Sequence, residues 1–310
     1  MSGEDFGRVY RLTVIQTPEL DDIVGLGRSF FEELQVITEI TEPLRIKFKV
    51  EKHLKQTPNQ AEITITNLAE VTREDFVRGP AKVRLEAGYD NTPRLLFLGD
   101  LRFASNDHTG TEWETKLQLG DGARAYAEAR HNRSYAKGTP IKTIIGQLAG
   151  AFGAQMPDLS TFGELQTRIS TGEVVTGWVA DELARLLAPF GMSYSFQDGR
   201  LQIMRYDDVV PGVRRVLTTP ANGGGIIGAP TVDPPKIRAP PKRGHRRGKA
   251  RELKVPKLKV KHTLYPEITP GEQIEVQSRS INGTFRVDAV THEGDLWGEE
   301  WTTHIEGRSV

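Results

Sequence analysis

The sequence predicts a mainly β protein in which two similar β-units flank a smaller α+β unit. Three observations carry this. Short runs of alternating apolar residues, divided by turn residues, dominate both ends of the chain. Apart from a mixed segment at 20–40, helical spacing is confined to a central stretch. A block of sequence near residue 100 recurs near residue 290.

The elements follow in order. Residues 9–15 (VYRLTVI) alternate and are rich in branched side chains, as a strand requires. Residues 20–40 are mixed, with some helical spacing. Residues 44–50 place Leu44, Ile46, Phe48 and Val50 on one face, and residues 61–68 do the same through Ile63 and Ile65. KVRLEAGY, RLLFLGDLRFAS and WETKLQLGDG continue the pattern, so this end reads as a sandwich or barrel. After about Gly122 the period changes. Thr139 and Pro140 read as a helix start, followed by Ile141, Ile144, Ile145, Leu148 and Phe152 at helical spacing and Gly153 as a stop. A second helix is predicted over about 178–188, with Val179, Leu183, Leu186 and Leu187 on one side. In MSYSFQDGRLQIM, Asp198-Gly199 marks a hairpin turn. ANGGGIIGAP is turn-rich, and the β-pattern then returns near the end of the chain.

Composition limits the function. The chain has 310 residues, 37% hydrophobic and 26% charged, with 41 Lys and Arg against 41 Asp and Glu. A zero net charge gives no global field toward nucleic acid or membrane. The lack of cysteine excludes disulfides, cysteine–zinc sites and a thiol nucleophile. MSGEDFGRVYRL lacks a signal-peptide core, and no apolar run approaches the ~20 residues that span a bilayer. The expected product is made in the cytoplasm and not exported by a cleaved signal. The neutrality is uneven. Residues 234–262 hold twelve Lys and Arg against Glu252 alone, which leaves 29 basic and 40 acidic residues elsewhere. This proline-rich basic run is either a solvated loop or a docking arm for an acidic partner or nucleic acid, with Lys242, Arg243, Arg246, Arg247, Lys249 and Arg251 as its candidate contacts.

The stretch INGTFRVDAVTHEGDLWGEEWTTHIEG holds His292, Glu293, Asp295, Glu299, Glu300 and His304, a set that resembles a metal or acid–base site. Its partner stretch, LGDLRFASNDHTGTEWETKLQLG, argues for the bland reading. Gly99 aligns with Gly283, Arg102 with Arg286, His108 with His292 and Gly110 with Gly294. Trp113 then aligns with Trp301, Thr115 with Thr303 and Leu117 with Ile305. Glu293 and Asp295 have no acidic counterpart, and His304 aligns with Lys116. What recurs is glycine, tryptophan, threonine and alternating apolar residues, which is hairpin chemistry. Gly99, Trp113, Thr115, Gly283, Trp301 and Thr303 are therefore expected to be structural, with no catalytic, cofactor or metal residue among the set. Gly25-Leu26-Gly27 lacks the third glycine of a dinucleotide loop, and no nucleophile elbow, HExxH or phosphate loop is present. Asp121, Arg124, Tyr126 and His131 read as a surface connection. Asp21-Asp22 and Asp207-Asp208 are neighbours in sequence and would point apart on a strand.

The order ITNL, GPAKVRLEAGY, LLFLGDLRFA, EWETKLQLGDGARAYAEARHNRSYAKGTPIKTIIGQLA, MSYSFQDGRLQIM, IIGAP and TLYPEITPGEQIEVQSRSINGTFRVDAVTHEGDLWGEEWTTHIEG resembles the baseplate hub, or tail hub, proteins of tailed bacteriophages and related contractile injection systems. The likeness runs from about residue 44, and the basic run at 234–254 departs from it. The resemblance implies two tail-tube-like β-barrel domains, 1–125 and 206–310, around a middle α+β domain, 126–205, with the basic insertion at about 233–255. It implies a virion structural protein without catalysis or cofactor. Three copies would form a homotrimer of pseudo-six-fold symmetry. That ring would join the hexameric tail tube to the trimeric spike and line the channel through which DNA is ejected, without binding it specifically. A baseplate wedge or tape-measure protein is a further partner, and the tail tip of the virion is the implied location. Other readings are a tail adaptor or minor tail binding module and, third, a cell-wall hydrolase.

Overall fold

The computed structural model describes residues 7–16, 36–155, 158–233 and 256–310. The first β-unit begins with β1 (Arg8–Gln16), β2 (Val36–Ile40), β3 (Ile46–His53) and β4 (Gln60–Thr66). Helix α1 (Glu70–Arg78) follows, then β5 (Ala81–Tyr89), β6 (Thr92–Thr109) and β7 (Glu112–Gly120). On β3 the expected face is buried: Ile46, Phe48 and Val50 enter the core while Lys49 and Glu51 stay outside. The sequence reading missed α1, because only Phe76 of its nine residues is buried and Val71 and Val77 face outward.

The middle of the chain contains the short helix α2 (Ala123–Glu128), β8 (Arg130–Tyr135), α3 (Ile141–Ala151), β9 (Glu173–Trp178), α4 (Val179–Leu187), β10 (Met192–Gln197) and β11 (Arg200–Arg205). Both predicted helices form. The start of α3 differs in detail: Pro140 is the capping residue, and the Thr139 hydroxyl donates to the Ala136 carbonyl rather than capping the helix. β10 and β11 make the hairpin that Asp198-Gly199 predicts, with φ of +54° and +78° at the turn.

The second β-unit is β12 (Arg214–Thr218), β13 (Ile226–Asp233), β14 (Lys257–Thr263), β15 (Gln273–Gln277), β16 (Asn282–Asp295) and β17 (Trp301–Ser309). The turn-rich stretch around IIGAP is therefore a strand, β13, interrupted by an irregularity between Ile227 and Thr231. The first unit runs β3-β4-β7-β6-β5-β1, and the second runs β13-β14-β17-β16-β15-β12. The order is the same strand for strand. Only the last pair differs: β1 is antiparallel to β5, whereas β12 is parallel to β15.

The two units are joined edge to edge. Strand β16 pairs with β17 on one side, and on the other with β15 and then with β3, through residues 289–295 against 47–53. This corrects the expectation of closed barrels. Among the described residues thirteen strands form one open, branched sheet. The side of β3 that could close the first unit is taken by β16, so the ladder runs on into the second unit instead of returning on itself. Three apolar cores result. The first, around Leu12, Ile63, Leu85 and Phe97, also takes in Leu264 and Trp301 from the second unit. The second lies among α3, α4 and the β10–β11 hairpin. The third holds Leu258, Ile274, Val287 and Ile305.

Candidate functional site

The polar cluster near the end of the chain sits on β16, β17 and their turn. His292 is fully buried, and its Nδ1 lies 2.9 Å from Thr303 Oγ1. Burial, with Lys52 nearby, holds the imidazole well below its ordinary range, so it is neutral. Glu293, its chain neighbour, contacts Lys49 and His304 at 3.7 Å each. Asp295 takes two hydrogen bonds from Arg45, at 3.0 and 2.6 Å. The carboxylates are thus spent on separate cations. Among the described residues no group of three or more His, Cys, Asp or Glu could hold a metal ion.

The strand ladders locate the repeat more finely than the sequence does. Thr303 stands opposite His292, while Thr115 stands opposite Asn106, not His108. The Thr115 hydroxyl donates to Asn106 Oδ1 at 2.9 Å, matching the His292–Thr303 pair. Along β6 and β16 the structural match is therefore displaced by two residues from the sequence match. His108 corresponds to Gly294; each faces the tryptophan of its own hairpin, Trp113 or Trp301. Trp301 is buried and packs edge-on against Phe48 at 5.2 Å. Trp113 is 36% exposed, beneath the Arg73 guanidinium at 4.0 Å. Gly99 is opposite Val83, close to the Phe97 ring, and Gly283 is opposite Val276. The basic residues Lys242, Arg243, Arg246, Arg247, Lys249 and Arg251 lie outside the described residues.

A second polar group, which sequence reasoning missed, ties the hairpin of the middle unit to the first β-unit. Lys52, 1% exposed, donates to Asp198 Oδ2 at 2.6 Å. Asp121 accepts the backbone N–H groups of Asp198 and Gly199 at 2.6 and 2.9 Å. Asn59 donates to the Phe196 carbonyl at 2.6 Å and accepts the His53 N–H at 2.8 Å. Asp121 is 1% exposed, so the surface connection expected for it is wrong. Burial and then the charge of Asp198 push its carboxyl up to about 7. On the other side, buried Arg286 of β16 donates to the carbonyls of Tyr206 and Asp208 at 2.6 and 2.9 Å and to Asp288 at 2.8 and 3.0 Å. The middle unit is fastened to the first β-unit by a charge-assisted bond, and Gln202 reaches the second through the Pro270 carbonyl at 3.3 Å. Between them lies a cleft of about 1180 Å³, lined in part by Arg84, Leu98, Gln202, Met204, Val210 and Pro270.

Among the described residues the remaining feature is open strand edge. Exposed apolar residues mark it: Val36 and Ile37 on β2, Val216 on β12, Ile227 and Val232 on β13, and Phe103 on the distal half of β6. Unpaired N–H and C=O groups along such edges are templates for pairing with another strand. What this geometry can do is assemble.

No family model matches the chain, and no curated protein matches it in sequence. Solved structures do match. A 43 kDa tail protein of prophage MuSo2 from Shewanella oneidensis is similar with a TM-score of 0.57 at 10% identity, over 88% of this chain and 94% of that one. The chain has the fold of a bacteriophage tail protein. A tail protein from Neisseria meningitidis shares this fold with a TM-score of 0.58 at 11% identity, over 97% of this chain and 96% of that one. An Escherichia coli component of the type VI secretion system, described as structurally similar to the bacteriophage T4 tail proteins gp27 and gp5, has a TM-score of 0.55 at 16% identity. The match covers 86% of this chain and 74% of that one. The resemblance read from the sequence, to baseplate hub-type tail proteins, agrees with this tail-protein fold.

Proposed function

We propose that the chain is a structural hub of a phage-type tail. Residues 1–125 and 206–310 act as two tube-like units around a middle domain, 126–205. The observation that carries the reading is the strand order repeated within one chain, with the two copies fused edge to edge through β3 and β16. A chain built from two like units, joined through one edge and open at others, is suited to head-to-tail closure. Three copies would place six similar units around an axis. Such a ring would offer pseudo-six-fold symmetry to a hexameric tail tube and three-fold symmetry to a trimeric spike, with a channel for DNA between.

The protein acts without catalysis in this reading, as a component of the virion at the tail tip or baseplate. Its acidic excess outside residues 234–262 suits a pore that passes DNA without holding it. The basic run, through Lys242, Arg243, Arg246, Arg247, Lys249 and Arg251, would dock on an acidic neighbour, a wedge or tape-measure protein included. Replacing these six residues by serine should weaken retention of that neighbour in purified tails; unchanged retention would remove the docking role. The hub reading itself is tested by imaging the assembled tail. Three copies alternating around the axis at one height are expected. A single copy bound off-axis, or two β-units at different heights, would overturn it.

A further inference from the structure

Within the chain, β3 fills one side of the distal half of β16. The matching strands of the other unit leave the same arrangement incomplete. The distal half of β6, residues 103–109, corresponds to residues 289–295 of β16 and pairs with β7. Among the described residues no strand lies on its other side. Strand β13 corresponds to β3 and pairs with β14, and its other side carries no strand among the described residues either. In the sheet, β13 and β6 are separated by β14, β17, β16, β3, β4 and β7, so they do not meet within one chain. Among the described residues each chain thus holds one filled junction and the two separate halves of a second.

We propose that β13 of one copy pairs antiparallel with residues 105–109 of β6 in a second copy, repeating between chains part of the β3·β16 ladder found within the chain. The register follows from the repeat. Val50 pairs with Ala61, which pairs with Leu119, which pairs with Leu101. Val232 pairs with Leu258, which pairs with Gly307, which pairs with Val287. Val232 therefore holds the place of Val50, and Asn106 that of His292. The pair His292 with Val50 becomes Asn106 with Val232 of the next copy, and Glu293 with Lys49 becomes Asp107 with Thr231. Burial agrees with a vacant place: Val50 is 0% exposed beside β16, whereas Val232 is 40% exposed. Pro230 lacks an N–H, and the strand is irregular around it, so the ladder is strongest at residues 231 and 232.

This inference rests on the ring reading for the number of copies, and one experiment separates the two. The chain has no cysteine, so introduced thiols are the only ones. Two double variants are made in the full chain: Asn106→Cys with Val232→Cys, and Asp107→Cys with Thr231→Cys. Of two adjacent opposed pairs in an antiparallel ladder, one has Cα atoms about 4.5 Å apart, within disulfide range. The second pair replaces only exposed side chains, which protects the test against a misfolded first variant. Mild oxidation should give a covalent trimer from at least one pair. It should give none from the offset control, Asn106→Cys with Ile227→Cys. Trimeric mass by light scattering without a link from either pair would overturn the edge pairing and leave the ring standing. A monomeric mass at high concentration, again without a link, would overturn both. Equal linking in the offset control would overturn the register.

Discussion

His292 and Thr303 face each other across β16 and β17, with Nδ1 and Oγ1 2.9 Å apart. Thr303 Oγ1 also accepts the Tyr265 N–H at 2.8 Å, and the imidazole tautomer sets which group donates across the His292–Thr303 pair. In the first unit the Thr115 hydroxyl donates to Asn106 at the same place. A residue that looks like a metal ligand in the sequence is thus one half of a repeated, buried hydrogen bond.

The first prediction follows from that equivalence. His292→Asn, which copies the first unit, should preserve most of the stability. His292→Leu leaves the buried Thr303 hydroxyl without its partner and should cost about 1–3 kcal/mol in urea denaturation. The folded pKa lies below the ordinary 6.5. The unfolded chain therefore binds the proton more readily, and the contribution is complete above about 6.5 and lost as pH falls below it. Imidazole resonances assigned to His292 should not titrate between pH 8 and 6; a transition near 6.5 would contradict the burial argument.

Gly294 gives the second prediction. A Cβ there would lie 2.3 Å from the Phe48 ring and 2.8 Å from Trp301, the two rings that fill the joint between the units. Gly294→Ala should destabilise by about 1–3 kcal/mol through overpacking, read as a lowered thermal midpoint. Gly110→Ala, in the equivalent hairpin of the first unit, meets no atom within 4 Å. It should cost only the strain of its φ of +66°, on the order of 1 kcal/mol. Equal losses at both sites would sink the explanation.

How legible this was in the sequence differs by element. Alternation at Ile46, Phe48 and Val50, and the Ile and Leu spacing of α3, mark faces that the cores bury. α1 has one buried residue, so it carries no amphipathic signal. β13 is broken by glycines and Pro230 and reads as turn. The repeat was visible, but its register on β6 and β16 was not. A slip of two residues keeps every side chain on its face, so the apolar pattern cannot detect it. The bulges at Arg102 and Asp288 stand at equivalent places, whereas the two hairpins differ in length, so the same residue types fall at different spacings from their tryptophans. Asp121 was misplaced for a related reason: its partners are backbone N–H groups 77 and 78 residues away, which no local pattern announces.

Asp121 supplies the third prediction. Its carboxyl is pushed from 3.8 up to about 7. The folded state therefore holds the proton where the unfolded chain has lost it, and stability from this group falls as pH rises from about 4 to about 7. The sign is opposite to that of His292. Asp121→Asn cannot titrate, so the wild-type advantage over it should shrink across that interval and stay constant above it. Urea midpoints at several pH values check this, and a difference that grows with pH would reverse the assignment.

The last prediction concerns the bond that holds the middle unit in place. Lys52 Nζ donates to Asp198 Oδ2 at 2.6 Å with the lysine almost wholly out of water. A buried pair gains little over an apolar one, but a broken pair leaves a charge without its partner. Lys52→Met should therefore cost about 3–5 kcal/mol. Asp198→Asn should also be costly, because it strands the ammonium in a site 1% exposed. The double variant leaves no uncompensated charge, so its loss should be well below the sum of the two. Denaturation of all four proteins closes the cycle. The hairpin turn at Asp198 also feeds the bond to Asp121, so the same variants should free the middle unit for proteolysis between residues 126 and 205 before the β-units open. If the singles simply add, the ion pair does not fasten the hairpin, and Asp121 and Asn59 must hold it unaided.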